Sequence, residues 1–398
     1  MAYRKGALAG AVSASAIVVS LVAADIAWAQ ADDIITVTAQ RRAQSIQDVP
    51  IAVSAFDPGA LRESAIGGIE GVADRTPGFT MTEFNIGEPQ LYIRGVGSTS
   101  DSAAGDPSVA VSIDEVYIGR AGGSAISFFD LERVEVLRGP QGTLYGRNAA
   151  GGAVNIITAK PDGDDPFTEL SFGYGDYSDI QLSAVLNGGL GENAAGRVAL
   201  LYNEHDGYST SVPSGADLQG KTTFGGRGAI AVDQGDWRAL FQIDFSSDET
   251  DGQARIPVPG PNTAPPLVAV IGALRAGLDD RESYSSPDTF QERDTAGALM
   301  RFDVDRDNFT FTSLSSYRQA DFSWFDDLGG LPVPPYVLLV EDRADESSEQ
   351  LTQEFRLTSN NQAGVSWVAG VYLFHEEVER SENFVVNALP PFPAFVGG

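Results

Sequence analysis

Two patterns of apolar and polar positions divide this chain, and they change over near Pro161. From Asp32 to about Lys160 the pattern is mixed. Leu61, Ala65, Ile69 and Val72 recur every three or four residues, which predicts a helix ending before Thr76, Pro77 and Gly78. Around it, QLYIRGVGS, SVAVSIDEVYIG, ERVEVLRG and AVNIITAK read as short strands bounded by Gly or Pro. Together they predict a small α+β domain. After Pro161 strict alternation takes over. Ile180, Leu182, Ala184 and Leu186 share one face, with Gln181, Ser183 and Asn187 on the other. Trp237, Ala239, Phe241, Ile243 and Phe245 alternate likewise with Arg238, Gln242, Asp244 and Ser246. The same alternation surrounds Val198, Ile230, Met300, Phe311, Phe355 and Val371, giving roughly nine segments of about ten residues or more. Tight turns such as Asp305-Arg306-Asp307-Asn308 join some of them. Long loops, such as the Pro- and Gly-rich stretch from Glu249 to Phe290, join others. Long strands with one apolar face, joined by alternately short and long connections, predict an antiparallel transmembrane β-barrel. The competing reading is a soluble β-sandwich, whose strands are usually shorter.

The first residues stand apart from both patterns. Arg4 and Lys5 precede an apolar run from Ala7 to Ala24, and Ala27-Trp28-Ala29 offers a cleavage site ahead of Gln30. Residues 1–29 therefore read as a secretory signal peptide rather than a membrane anchor. No later run is apolar for long enough to form a transmembrane helix. The 398 residues leave room for more than one domain. With no cysteine, the exported chain has neither disulfides nor a lipid-bearing N-terminal Cys. Periplasm, medium and outer membrane remain as destinations. A formal charge of -29 excludes nucleic acid as a partner, since that needs a basic footprint. Hydrophobic residues at 42% exclude a disordered chain.

Candidate chemistry centres on Leu131 to Pro161, LERVEVLRGPQGTLYGRNAAGGAVNIITAKP. Its glycines raise the question of a phosphate loop. Gly146 and Gly151 have the required spacing, but Gly152 and Ala153 stand where the phosphate-reaching Lys and the magnesium-holding Ser or Thr belong. A dinucleotide loop would open a helix, and AVNIIT is β-branched. No metal site is expected: His205 and His375 are far apart. Asp303, Asp305 and Asp307 lack the glycine and glutamate of a calcium loop. No G-x-S-x-G elbow occurs either. The chain reads as a non-enzyme without a cofactor.

Taken together, these segments resemble the TonB-dependent outer-membrane receptors across nearly all of the exported length. The resemblance rests on IITVTA at 34–39, LYIRG at 91–95, VSIDEVYIG at 111–119 and VEVLRGPQGTLYGRNAAGGAVNIITAKP at 134–161, with QEFRL at 353–357 and WVAGVYLF at 367–374. It implies a signal peptide over 1–29, a TonB box and linker over 30–45, an α+β plug over 46–160 and barrel strands over 161–398. Ile34, Ile35, Thr36, Val37, Thr38 and Ala39 would then form the TonB box, adding as a strand to TonB, the arm of an inner-membrane energy-transducing complex. Gly139, Pro140, Gly142, Tyr145, Gly146, Asn148, Gly151 and Gly152 would form the plug motif. Arg94 and Arg138 would lock the plug to the barrel with Glu354 as an acceptor, or else merely line a watery lumen. Glu115, where many members have glycine, reads as a tolerated turn variant.

The resemblance further implies an exported protein of the outer membrane, in contact with its lipid, that takes up a scarce extracellular ligand. A ferric siderophore complex heads the candidates, with cobalamin and glycans open. The alternative is a non-transporting surface or adhesive β-protein. The family barrel has 22 strands and a plugged lumen. Roughly nine strands would leave unpaired edges that lipid does not tolerate. The expectation is thus an incomplete barrel belonging to a fragment, or to a truncated product.

Overall fold

The computed structural model describes residues 36–38, 41–42, 44–99, 105–256, 258–259, 261, 265–286, 288–328, 331–333, 336–360 and 365–388. The chain divides into two units, Met1–Pro50 and Ile51–Gly398. In the first, β1 (Thr36–Val37) pairs antiparallel with β2 (Gln44–Ser45), Thr36 opposite Ser45. The expected signal peptide lies outside the described residues.

The second unit begins with an α+β domain built of β3 (Ala52–Phe56), α1 (Pro58–Glu63), α2 (Ile69–Arg75), β4 (Phe79–Glu83), β5 (Pro89–Ile93), β6 (Val96–Gly97), β7 (Val109–Ile113), β8 (Val116–Tyr117), β9 (Leu131–Arg138), α3 (Gly142–Tyr145) and β10 (Gly152–Thr158). The single helix expected through Leu61 and Val72 is in fact two. Asp57 caps the first by accepting from the Ala60 N–H at 2.7 Å, with Pro58 beginning the helix. Ala65 then turns left-handed at φ +50°, and Gly67-Gly68 carries the chain to the second. Apolar spacing alone does not register that break.

Five strands form one sheet in the order β3-β9-β10-β7-β8, with only the β10–β7 pair parallel; β4, β5 and β6 form another. Between sheets and helices, Ile69, Val72, Ile93, Val134, Val154 and Ile156 are wholly buried. This is an ordinary water-excluded core.

Beyond it runs a single antiparallel wall: β11 (Phe167–Tyr174), β12 (Ile180–Gly191), β13 (Ala194–His205), then across a loop β16, then β17, β19, β20, β22 and β23. The loop strands β14 (Ser209–Ser211) and β15 (Asp217–Leu218) precede β16 (Lys221–Asp233) and β17 (Trp237–Asp251). Helix α4 (Pro265–Arg275) and β18 (Glu282–Ser283) precede β19 (Phe290–Asp305) and β20 (Phe309–Asp327). Short β21 (Leu331–Val333) folds onto β22 (Tyr336–Ser359), whose other partner is β23 (Val368–Ala388). Among the described residues the wall is open, β11 and β23 having no pairing with each other.

The wall is inside out. Leu170 and Phe172 are 78% and 72% exposed, and Leu186, Ile243, Met300, Leu351 and Val371 are exposed beside them on one face. The opposite face buries Asn187, Arg227, Gln242, Asp248, Arg293 and Arg356. Leaving one such large apolar side chain in water forgoes roughly 1.5–3 kcal/mol, so this surface is built for lipid. Aromatic pairs mark the short-turn end of the apolar band, with Trp237 against Phe302 at 5.6 Å and Phe311 stacked on Phe355 at 6.3 Å. At the other end the two longest loops are tied together. β14 pairs parallel with β18, Thr210 opposite Glu282, in a three-stranded sheet completed by β15.

Candidate functional site at the plug–wall contact

The α+β domain lies against the buried face of the wall, and the two-residue turn Asp114-Glu115 between β7 and β8 is the centre of the contact. Both residues have left-handed backbones, φ +49° and +70°, which non-glycine residues rarely adopt. Strain of this kind persists where surrounding contacts over-determine it, and here they do. Asp114 accepts from the Thr158 N–H at 3.0 Å and hydroxyl at 2.7 Å, from Gln242 Nε2 on β17 at 2.9 Å, and pairs with the Lys160 ammonium. Burial alone would raise its pKa, but the Lys160 charge and the hydrogen bonds from Lys160 and Thr158 hold the carboxyl below its ordinary value. Glu115 spans two wall strands. Its oxygens accept from Arg301 Nη1 on β19 at 2.6 Å and Arg356 Nη2 on β22 at 2.7 Å. Arg301 is held in turn by Asp303 at 2.7 Å, and Arg356 by Glu354 at 2.9 Å. On the short-turn side Arg301 also borders an open chamber of about 870 Å³ that Lys160, Asp162, Asp233 and Arg238 help to line.

Other contacts surround this centre. Asp130 takes a two-pronged bond from Arg197, at 2.9 and 2.5 Å. Arg227 lies over the Phe129 ring at 4.6 Å and donates to the Phe129 carbonyl at 3.1 Å. Toward the long-loop end, the Gln350 side-chain amide accepts from the Gly119 N–H at 2.8 Å and donates to the Tyr117 carbonyl at 2.7 Å, copying a strand's hydrogen bonds. Arg120 meets Glu346 at 2.8 Å, and Arg380 meets Glu88 at 2.7 Å. Arg255, in the loop after β17, donates to the Phe84 carbonyl at 2.8 Å and to Asp326 at 3.1 Å. Apolar contacts run through it as well, with Val116 resting on Leu299 and Leu314, and buried Phe322 and Trp324 packed against Gly122 and Gly87.

Of the residues expected to lock plug to barrel, Arg94 and Arg138 contact the plug's own backbone and Glu354 lies on β22. Arg94 is exposed on a left-handed backbone of φ +52°, and its N–H donates to the Gly78 carbonyl at 2.6 Å. Arg138 ends β9 and donates to the Pro77 carbonyl at 3.2 Å. Neither forms a bond to a wall carboxylate among the described residues. Glu354 does belong to the contact, one step removed, through Arg356 to Glu115. Among the described residues the ion pairs mostly run the other way, the plug supplying Glu115, Asp130 and Glu88 and the wall supplying arginines. Arg120–Glu346 alone keeps the expected sense among the pairs named above. An acid replacing glycine in a turn that demands positive φ was the available signal, and it pointed to Glu115.

The glycine-rich segment is the connection between β9 and β10. Gly139 N–H donates to the Gly151 carbonyl at 3.0 Å and Gln141 N–H to the Ala149 carbonyl at 2.9 Å, closing a long hairpin whose tip is α3. Pro140 follows β9, and Gly142 opens α3. Gly146 and Gly139 take positive φ, as does Asn148, whose amide reaches the Tyr117 hydroxyl at 2.7 Å and Asp106 at 3.1 Å. Tyr145 accepts from Asn155 Nδ2 at 2.7 Å. Gly152 cannot be replaced freely: at φ +156°, a Cβ there would lie 2.2 Å from the Leu137 carbonyl oxygen. Of the expected TonB box, Thr36 and Val37 form β1 and Thr38 follows it; Ile34, Ile35 and Ala39 lie outside the described residues.

Residues 45–153 match the family model of the TonB-dependent receptor plug domain. Over 223 residues the chain is 30% identical to the vitamin B12 transporter BtuB of Photobacterium profundum, covering 55% of this chain and 36% of that one. Over 237 residues it is 27% identical to the pesticin receptor of Yersinia enterocolitica, covering 58% and 32%. The chain thus spans about a third of the length of these curated relatives. Its fold is that of the ferric yersiniabactin uptake receptor FyuA from Yersinia pestis, with a TM-score of 0.69 at 21% identity over 86% of this chain and 50% of that one. Residues 45–153 are a TonB-dependent receptor plug domain, and the chain has the plug-and-barrel build of the TonB-dependent receptors of the outer membrane.

Proposed function

We propose that this protein serves active uptake of a scarce ligand across the outer membrane, with the plug as its gate and a ferric siderophore complex as its cargo. The observation that carries the reading is the chemistry of the plug–wall contact. It is rich in ion pairs and hydrogen bonds across both strands and turns, and water can replace these as the plug shifts. Energy then comes from the inner-membrane proton gradient through TonB, which pairs as an added strand with Ile34 to Ala39. The likeness to a vitamin B12 transporter and to a ferric yersiniabactin receptor supports ligand uptake and leaves a corrinoid as the second cargo.

The test is uptake of radiolabelled ferric siderophores and of cobalamin by cells expressing the full-length gene product. Iron is expected to enter, and transcript level to rise on iron starvation. In Ile35→Pro, which removes a backbone donor from the added strand, uptake stops while ligand still binds. Normal uptake by that variant would overturn the TonB coupling, and cobalamin entry without iron entry would overturn the cargo.

A further inference from the structure

Most arginines on the wall's inner face are paired within the wall itself. Arg293 has Asp248, Arg301 has Asp303, Arg318 has Asp244, Arg356 has Glu354 and Arg380 has Glu346. Arg197 on β13 and Arg227 on β16 form no such pair among the described residues. They sit on neighbouring strands, Arg197 opposite Ala229 and Ala199 opposite Arg227, and both close on one plug residue, Asp130. Asp244 stands across from Arg227 on β17 but is held by Arg318 at 2.7 Å. Asp130 itself has a left-handed backbone, φ +50°, which is uncommon for a residue with a side chain. Its carboxylate is 4% exposed and fills the Arg197 fork, while its carbonyl and that of Phe129 take Arg227 Nη1. Arg227 is 6% exposed, and its Nε has no acceptor among the described residues. The patch already holds a carboxylate and has a buried donor to spare.

We propose that Arg197 and Arg227 are a binding site for the anionic groups of the cargo, carboxylates above all, and that Asp130 fills it while the gate is shut. The inference rests on the uptake reading above and names the charge of what passes. Once the plug shifts, the other inner arginines keep their wall carboxylates, and these two are left without an anion. A cleft with low-dielectric walls concentrates ions of the opposite sign at such a patch. Arg197 offers an arriving carboxylate the two-pronged bond it now gives Asp130. The way out is adjacent. Ala195, two residues before Arg197 on β13, lines the open chamber of about 870 Å³ at the short-turn end. Two residues are roughly 7 Å along a strand. Asp130, on its return, competes the anion off toward that chamber, so the residue that fills the site at rest also empties it.

The pocket is tested on purified full-length protein in detergent, with protease cleavage of the plug along a denaturant titration as readout. Asp130→Gly removes the carboxylate, relieves the left-handed backbone and leaves both arginines in place. Acetate is expected to raise the midpoint of this variant relative to chloride at equal ionic strength. It is expected to do nothing for the unaltered protein or for Asp130→Gly combined with Arg197→Gln. No acetate effect, or one that survives Arg197→Gln, would overturn the site. Uptake by cells then tests the cargo, with a panel of radiolabelled ferric siderophores, anionic and neutral. Asp130→Asn and Arg197→Gln weaken the same plug contact, but only the second removes a cation from the site. Entry of the anionic complexes is expected to be at least about tenfold lower in Arg197→Gln than in Asp130→Asn, the weight of one charge-assisted hydrogen bond. Neutral complexes are expected to enter the two variants equally. Equal loss of anionic complexes in both variants, or entry of neutral complexes alone in the unaltered protein, would overturn the role in passage. If no complex enters, the uptake reading fails while the acetate result still decides the pocket. Heat-induced mobility shift in gels checks that each variant is folded.

Discussion

Glu115 concentrates a conflict between backbone and side chain that only function or stability can justify. Its φ of +70° is a glycine's, yet its carboxylate joins Arg301 to Arg356 across three strands of wall. Breaking a buried ion pair typically costs about 3–5 kcal/mol. Both arginines keep another carboxylate, so Glu115→Ala is expected to loosen the plug by about 2 kcal/mol. Glu115→Gly loses the same bonds but relieves the turn, and is expected to be milder by about 1 kcal/mol. Denaturant titration with protease cleavage of the plug as readout ranks the three; a glycine variant worse than the alanine one would contradict the strain. Asp114 adds a pH dependence. Its depressed pKa means that its contribution is complete above the ordinary carboxylate value of about 3.9 and is lost as pH falls through the folded value. The gap in stability between the native protein and Asp114→Asn, measured at a series of pH values, is expected to be constant near neutrality and to close below that range. A gap that persists at pH 2 would show that the charge is not what Asp114 contributes.

Among the elements, those set by local chemistry were legible in the sequence and those set by distant partners were not. Alternation located eight of the nine wall strands among the described residues, all but β11, because each must show one face to lipid and the other to polar side chains, whatever its neighbours are. The two helices were read as one, because apolar spacing continues through Ala65 while its backbone does not. The stretch from Glu249 to Phe290 was legible as a loop, but its tie to the preceding loop was not, since a two-residue parallel pairing of Thr210 with Glu282 leaves no pattern. Neighbouring strands lie about 4.7–4.9 Å apart, within the Cα range a disulfide spans. Since the chain has no cysteine, Thr210→Cys with Glu282→Cys is expected to cross-link cleanly on mild oxidation, read as a gel shift reversed by reductant. Failure to cross-link would mean that the outer loops part in solution. Plug contacts were the least legible feature, because the partner of Arg138 or Glu115 depends on which wall strand the fold brings opposite.

For the molecule as a whole, the sheet order β3-β9-β10-β7-β8 sets where a mechanical load would act. The strand next to the N-terminal segment is β3, at one edge. The turn held by Arg301 and Arg356 belongs to β7 and β8, at the other. Within that sheet, traction applied at the N-terminal end crosses β9 and β10 before it reaches that grip. Strand β3 has five half-buried residues and a single neighbour, whereas β10 is hydrogen-bonded on both sides. Under slow pulling β3 yields first, paying out slack, and the arginine grip sees the full force only afterwards. Loaded from that end, a plug built this way would answer small tugs by local unzipping at β3 and keep its grip on the wall until the load is sustained.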